Sequence, residues 1–317
     1  MKLDPIGVGM ITGYVADLAF GDPRRWHPVA GFGSAAMTLE RRTYLPDKAR
    51  GALHEAILVG GSLALGVAAG RARKPWSMPV AALATWTVLG GRSLSSEGVA
   101  MHDLLARGDD PGARVRIRHL AGRDSTNLSS DQLARACVES LAENGADAVV
   151  SPLFWGAVAG VPGLLGYRAI NTLDAMIGHR SERYNEFGWA AARLDDMANW
   201  IPARLTVLSI ALATGSPTRA GDIARVVRRD APAHPSPNAG PVEAAFAAAL
   251  NRRLGGTNVY QGITEDRGWL GDGADVTPRD IPAAVRLHQR TGAIALGLAV
   301  GIRVVGAAVI RHTRRPN

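Results

Sequence analysis

The stretch AVVSPLFWGAVAGVPGLL, Ala148–Leu165, decides how this chain folds. It is apolar throughout and approaches the ~20 residues that a straight helix needs to cross the hydrocarbon layer of a bilayer. Yet Gly160-Val161-Pro162-Gly163 sits inside it. Proline removes a backbone donor and glycine relaxes the chain, so a helix break there is cheap. A single crossing would put the polar loops before and after this block on opposite sides of a membrane. A broken or re-entrant segment returns both to one face, and that is the expected arrangement.

Five further apolar blocks surround it: Ile6–Phe20, Ala52–Gly70, Trp76–Gly91, Ile201–Gly215 and Gly292–Ile310. Of these only Ala52–Gly70 and Gly292–Ile310 approach spanning length, and all are rich in Ala and Gly. Core helices of a soluble, Ala-rich protein are the plainer alternative. Arg71-Ala72-Arg73-Lys74 after one block and Arg311, Arg314 and Arg315 after the last favour a membrane, because basic clusters anchor the ends of apolar runs. The expected fold is therefore all-α: a polytopic integral membrane protein with several short, Ala/Gly-rich or broken transmembrane helices. One domain is expected over 1–317, with polar functional loops at 21–51, 92–147, 168–200 and 216–291.

Local signals refine this. Ser129-Ser130-Asp131-Gln132 has the form of a capping box, which predicts a helix from Asp131 to Asn144 that stops at Gly145. A second helix is predicted over Pro241–Leu254, before Gly255-Gly256. Asn199 could cap a helix entering the membrane at Pro202. Ser216–Pro241, with five prolines, reads as a loop-rich connector. Period-2 alternation is nearly absent, so little sheet is expected. Asp17, inside the first block, should be buried or paired.

The formal net charge of +8 favours anionic lipid and anionic substrates. No Lys/Arg run with interleaved aromatics appears, which argues against nucleic acid. Cys137 is the only cysteine, so neither an internal disulfide nor a cysteine-rich metal site can form. Asp4 and Asp17 break the pattern of a cleavable leader. No P-loop, Gly-x-Ser-x-Gly elbow or His-Glu-x-x-His sequence occurs, so a bound nucleotide would depend on arginines and Mg²⁺.

Most residues capable of chemistry lie between Gly122 and Arg204. Glu139 and Glu143 share a helix face and could act as acid and base or bind a divalent cation; a solvated Arg135–Glu139 pair is the ordinary alternative. Asp195, Asp196 and Asn199 can converge their oxygens on Mg²⁺, although Asp and Asn also suit helix starts. Arg123, Asp124, Ser125 and Thr126 lie in a Gly-led turn whose amides could hold a phosphate, with a plain turn as the alternative. Ser236 and Asn238 precede a helix N-terminus, which attracts anions or simply needs a cap. His27 follows Gly21-Asp22-Pro23 and could be a base or a ligand, but a lone His there more often serves structure.

Taken together, GDPRRWHPV (21–29), GRDSTNL (122–128), VESLAENGADAVVSPLFW (138–155), YRAINTLDAMIGHRSERYNEFGWAAARLDDMANWIPARL (167–205) and HPSPNAGPVEAAFAAALNRRLGG (234–256) closely resemble the cobalamin-biosynthesis CobD/CbiB family, the adenosylcobinamide-phosphate synthases. The resemblance implies an inner-membrane, multi-pass enzyme whose polar loops face the cytoplasm. It implies an acid–amine ligase that joins the free propionate of adenosylcobyric acid to aminopropanol or its O-phosphate, with ATP as co-substrate and Mg²⁺ as cofactor. A homo-oligomer or other proteins of the cobalamin pathway would be its protein partners. On that basis Asp195, Asp196 and Asn199 are expected to hold Mg²⁺. Glu139 or Glu143 would be the base, and Asp174 could do either acidic job. Arg123 and Arg193 would meet phosphates, aided by Ser236 and Asn238. A transporter of an anionic small molecule is the main competing expectation, since broken apolar helices suit transporters as well. The long polar loops Arg92–Asp147 and Ser216–Thr291 count against it, and the density of carboxylates and amides counts against a membrane sensor.

Overall fold

A computed structural model of the protein describes residues 4–22, 27–73, 75–122, 124–179, 181–260 and 263–313, with backbone alone at 258–260, 263–264 and 307–313. Among these residues the order is α1 (Pro5–Phe20), α2 (Pro28–Thr43), α3 (Lys48–Gly70), α4 (Ser77–Val88), α5 (Gly91–Ala106), α6 (Asp110–Arg116), α7 (Ser130–Gly145), α8 (Ser151–Ala159), α9 (Val161–Leu173), α10 (Tyr184–Phe187), α11 (Trp189–Ala213), α12 (Pro217–Asp230), α13 (Ala239–Leu250), β1 (Arg252–Tyr260), β2 (Ile263–Leu270), β3 (Ala274–Asp275) and α14 (Ile281–Thr313). The chain is predominantly helical with little sheet, as expected. It divides into two compact units, each discontinuous in sequence. The first comprises 1–90, 151–199 and 296–317, and the second 91–150 and 200–295.

In the first unit, small residues set the helix spacing. Gly9 and Gly13 of α1 lie against Ala81, Ala82 and Thr85 of α4, so close that a Cβ on either glycine would strike α4 backbone. Such small-xxx-small contacts let helix axes approach where side-chain burial alone gives little drive. Asp17 is buried, as expected. The decisive block breaks where its sequence says: Gly160 has φ 67 and Pro162 falls in the first turn of α9, where its missing donor costs nothing. Leu164 packs over Gly156, and a Cβ on Gly163 would collide with the Trp155 carbonyl. α8 and α9 are thus a tight helical hairpin. The nine residues of α8 rise about 14 Å, well short of a hydrocarbon layer of roughly 30 Å.

Among the described residues, only α3 is long and apolar enough to cross a membrane. It leaves Leu53, Ile57, Leu63, Leu65 and Val67 exposed. An apolar face of this kind needs a covering that the unit itself does not provide.

α11 carries Pro202 in its interior. Proline frees the carbonyl four residues earlier, here that of Ala198. The Trp155 indole N–H donates to that carbonyl at 3.0 Å. The helix therefore runs on through the proline. Asn199 lies within the helix and does not cap it, which corrects the capping expectation.

The core of the second unit gathers Leu133, Cys137 and Leu141 of α7, Val242 and Phe246 of α13, and Ile281 and Ala284 of α14. The Ser129–Gln132 capping box forms as expected. α7 ends at Gly145 as expected, but the glycine does not turn away the chain, which stays helical in a wider π-type turn at Ala146–Val150. Gly145 serves packing instead, since a Cβ there would collide with the His288 ring. The expected helix over Pro241–Leu254 stops at Leu250, where Asn251 adopts a left-handed φ of 53. Arg252–Leu254 belong to β1, in a small sheet of order β2-β1-β3. The connector 216–241 holds a helix, α12, because Pro217 occupies a first-turn position and the Ser216 hydroxyl accepts from the Arg219 amide.

The Trp155 bond gives a test by double-mutant cycle. Trp155→Phe leaves the Ala198 carbonyl unpaired and should cost about 1–3 kcal/mol, read by denaturant unfolding of the detergent-held protein. In a Pro202→Ala background the carbonyl regains a helical partner, so the same substitution should cost clearly less. Equal costs in both backgrounds would refute the assigned role.

Candidate functional site

The second unit places Arg135, Glu139 and Glu143 on successive turns of α7. Glu139 is 1% exposed. Its Oε1 accepts from the Gly255 amide at 2.8 Å and lies 3.7 Å from Arg135 Nε. The expected surface pairing is thus a buried one. Gly255 and Gly256 both have left-handed φ, and a Cβ on Gly255 would strike the Gly268 carbonyl. Glycine is what lets β1 turn its amide onto the helix. Glu143, one turn on, is half-buried. The Trp269 ring stacks under Arg135 at 5.4 Å and Arg253 at 4.3 Å.

Glu139 also acts electrostatically on His234, in the loop that leads to α13. The His234 Nδ1 accepts from the Ser236 amide at 3.1 Å. The Ser236 hydroxyl accepts from the amides of Ala239 at 3.1 Å and Asn238 at 3.3 Å. Ser236 therefore takes the capping role at the start of α13. Asn238 Oδ1 accepts from Arg204 at 3.0 Å. Glu243, fully buried on α13, has Oε1 3.7 Å from His234 Nε2 and 3.8 Å from Arg267 Nη1. At 3.7 Å the ring and the carboxylate are neighbours, not hydrogen-bond partners. Burial first, then the Arg267 charge, holds His234 below its ordinary pKa. Arg204, Arg228 and His234 line a cavity of about 510 Å³ walled by Pro235, Pro237 and Pro241. Two arginines in a proline-stiffened cavity suit an anionic group.

The Gly122–Asn127 turn is locally satisfied. Asp124 Oδ1 accepts from the Thr126 amide and hydroxyl at 2.9 and 2.7 Å, which holds the carboxyl below its usual range. The buried Ser125 hydroxyl donates to the Arg114 carbonyl at 2.8 Å. Arg123 lies outside the described residues.

The first unit gathers a different set. Asn199 Oδ1 accepts from the Ser151 hydroxyl at 2.7 Å and the Tyr167 hydroxyl at 2.9 Å, and its amide donates to Asp195 Oδ2 at 2.9 Å. Asp174 opens a π-type turn over Asp174–Gly178, where the missing Gly178 side chain makes room for its carboxylate. Asp174 and Asp195 both act on Glu55 of α3. Asp196 sits 3.8 Å from the exposed Arg193. Burial raises its pKa, against the pull of that arginine. His27 caps α2, its Nδ1 accepting from the Val29 amide at 3.1 Å, with Nε2 3.9 Å from Asp22.

Asp195 and Asn199 thus meet, but the Asn199 oxygen already accepts two hydrogen bonds. Among the described residues no three His, Cys, Asp or Glu side chains are placed to hold a metal ion. In this arrangement Asn199 orients Asp195 and is itself held by Ser151 and Tyr167. A Mg²⁺ held mostly by phosphate oxygens needs only one or two carboxylates, and the partly exposed Asp196 suits that lesser role. His234, Glu243, Arg267 and Glu55 were not singled out in the sequence. The available signal was a lone acid in an otherwise apolar helix, Glu243 in AGPVEAAFAAAL and Glu55 in the second apolar block.

His288, fully buried beside Gly145, has its pKa pushed down by that burial to about 4 from an ordinary 6.5. A histidine depressed in the folded state leaves the unfolded chain to bind the extra proton. Its contribution is therefore full above about pH 6.5, is lost between there and pH 4, and is flat below. The loss should be roughly 3 kcal/mol, seen in unfolding curves across pH 4–8. His288→Gln should flatten that dependence, and an unchanged slope would count against it.

A family model described as CobD/Cbib protein matches residues 10–288. The chain is 50% identical over 298 residues to the cobalamin biosynthesis protein CobD of Mycobacterium tuberculosis, covering 92% of this chain and 94% of that one. It is 42% identical over 308 residues to the protein of that name from Rhodobacter capsulatus, covering 93% and 96%. It is 43% identical over 278 residues to that from Geobacter metallireducens, covering 84% and 86%. No solved structure matches. With its quoted motifs lying inside the matched span and its length shared almost end to end with these relatives, the chain belongs to the CobD/CbiB family of cobalamin biosynthesis.

Proposed function

We infer that this chain is an ATP-dependent acid–amine ligase. It would join the free propionate of adenosylcobyric acid to aminopropanol or its O-phosphate and release adenosylcobinamide or its phosphate. The enzyme would work as a multi-pass protein of the cell membrane with its polar loops towards the cytoplasm. Beyond family membership, one observation supports it most: the buried acids Glu139 and Glu243, in segments that carry the resemblance, lie beside Arg135 and Arg267, and acids and arginines are the side chains that acyl activation and amide formation require.

A carboxylate does not acylate an amine in water. In the proposed reaction the propionate oxygen attacks the γ-phosphorus of ATP, ADP leaves, and an acyl phosphate forms. The amine then attacks the acyl carbon, inorganic phosphate departs, and the amine gives up a proton. Asp196 is the residue suited to meet a Mg²⁺ arriving with the nucleotide, which would supply positive charge against the phosphates. Arg204 and Arg228 offer the anion its counter-charge. Glu143 is the better candidate base: it is half-buried and within reach of a solute, whereas Glu139 is engaged by Gly255.

Product mass after incubating the purified chain with adenosylcobyric acid, ATP, Mg²⁺ and each amine tests the reaction. A gain equal to one amine less one water is expected, and its absence with both amines would refute it. Glu143→Gln should lower kcat by about 10²–10⁴ with an unchanged unfolding midpoint. Glu139→Ala should instead destabilise the fold by about 1–3 kcal/mol, because it strands the Gly255 amide. A fully active Glu143→Gln enzyme would remove that residue from the base role.

A further inference from the structure

In the first unit, α2, α3, α4 and α9 form the walls of a cavity of about 130 Å³. The walls are mostly apolar, with Phe32 of α2, Leu65 of α3, Val88 of α4 and Leu165 of α9 among them. Arg168 of α9 lines the same space. Its Nε is buried without a hydrogen-bond partner, and no carboxylate among the described residues pairs with its guanidinium. Other arginines of this unit have their acids: Arg183 holds Glu40, and Arg303 holds Asp4. A guanidinium set among apolar side chains gives up hydration, and without a partner nothing offsets the loss. Such a charge is retained against its cost where it meets a ligand. That ligand must bring an anion.

The hydroxyls narrow the choice. Ser62, Thr87 and Thr172 also line the cavity. Each donates its proton to a backbone carbonyl, that of Leu58 at 2.9 Å, Ala84 at 3.0 Å and Arg168 at 2.7 Å. What they can still offer a ligand is lone pairs. Groups that only accept disfavour a second anion, which counts against a polyphosphate chain. They favour a molecule that carries donors beside its one anionic group. The volume admits a small molecule and not a corrin ring. A phosphate matches the planar fork of arginine through paired N–H···O bonds. We propose that this cavity seats the phosphate of a phosphorylated amino alcohol on Arg168, which thereby selects aminopropanol O-phosphate over free aminopropanol as the acyl acceptor. This specificity role rests on the amide-forming reaction proposed above. The ammonium of such a molecule supplies donors for the hydroxyl lone pairs, and its carbon chain meets the apolar wall.

The test uses the full chain in nanodiscs of phosphatidylcholine, with aminopropanol and aminopropanol O-phosphate as probes. The phosphorylated amine should bind at least about tenfold more tightly. Arg168→Met should bring the ratio of the two Kd values close to unity. Arg168→Lys keeps the charge without the fork and should lower the ratio by a smaller factor; it carries the test if the methionine variant does not reach the wild-type unfolding midpoint. Equal binding of the two amines by the wild type, or an unchanged ratio in a folded variant, overturns the seat. A KM raised for adenosylcobyric acid and not for the amine would put the propionate on Arg168, and loss of the phosphate preference in discs containing phosphatidylglycerol would put a lipid there; either result overturns the seat as well. Amide formation by Arg168→Met with an unchanged ratio would defeat the seat and leave the reaction standing. Arg168-dependent binding of the phosphorylated amine without any amide product would defeat the reaction and leave the seat standing.

Discussion

A carboxylate inside packed helices is tolerated only with a partner, and both units of this protein are arranged around that constraint. In the second unit the partners are built in: the Gly255 amide and Arg135 for Glu139, and Arg267 beside Glu243. Glycines at 255 and 256 bend β1 so that its backbone can serve an acid on a helix. The π-type turn at Asp174–Gly178 has the same logic in the first unit, where a residue without a side chain leaves space for the Asp174 carboxylate. In each case backbone irregularity falls where a charge must be housed, and such irregularity in helices is common at functional sites.

The second constraint is helix length. α1, α4, α8 and α9 have 16, 12, 9 and 13 residues. At 1.5 Å per residue none spans a layer of ~30 Å when straight. They pack as short pieces through Gly–Ala contacts and a hairpin, while among the described residues α3 alone combines length with apolar character and exposed side chains.

Much of this was legible in the chain. Gly160-Val161-Pro162-Gly163 marked the break, and Ser129–Gln132 the capping box, because both signals act through the backbone of the residues that carry them. The end expected at Gly145 agrees with the structure, although the glycine there makes room for His288, whereas the end expected at Leu254 falls at Leu250 because Gly255 turns a strand towards Glu139. Pro217 was read as a loop signal although proline suits a first turn equally well. The pairing of Asp195 with Asn199 follows from their spacing. The approach of both Asp174 and Asp195 to Glu55 does not, because it depends on how three helices distant in sequence come together.

The bond from Trp155 to the carbonyl of Ala198 carries an evolutionary consequence. The indole is needed only because a proline four residues on has released that carbonyl. A lineage that replaces the proline removes the selection on the tryptophan, and one that loses the tryptophan gains from replacing the proline. Positions 155 and 202 are therefore expected to co-vary among relatives although nearly fifty residues separate them, a covariance that originates in one peptide oxygen and involves no substrate.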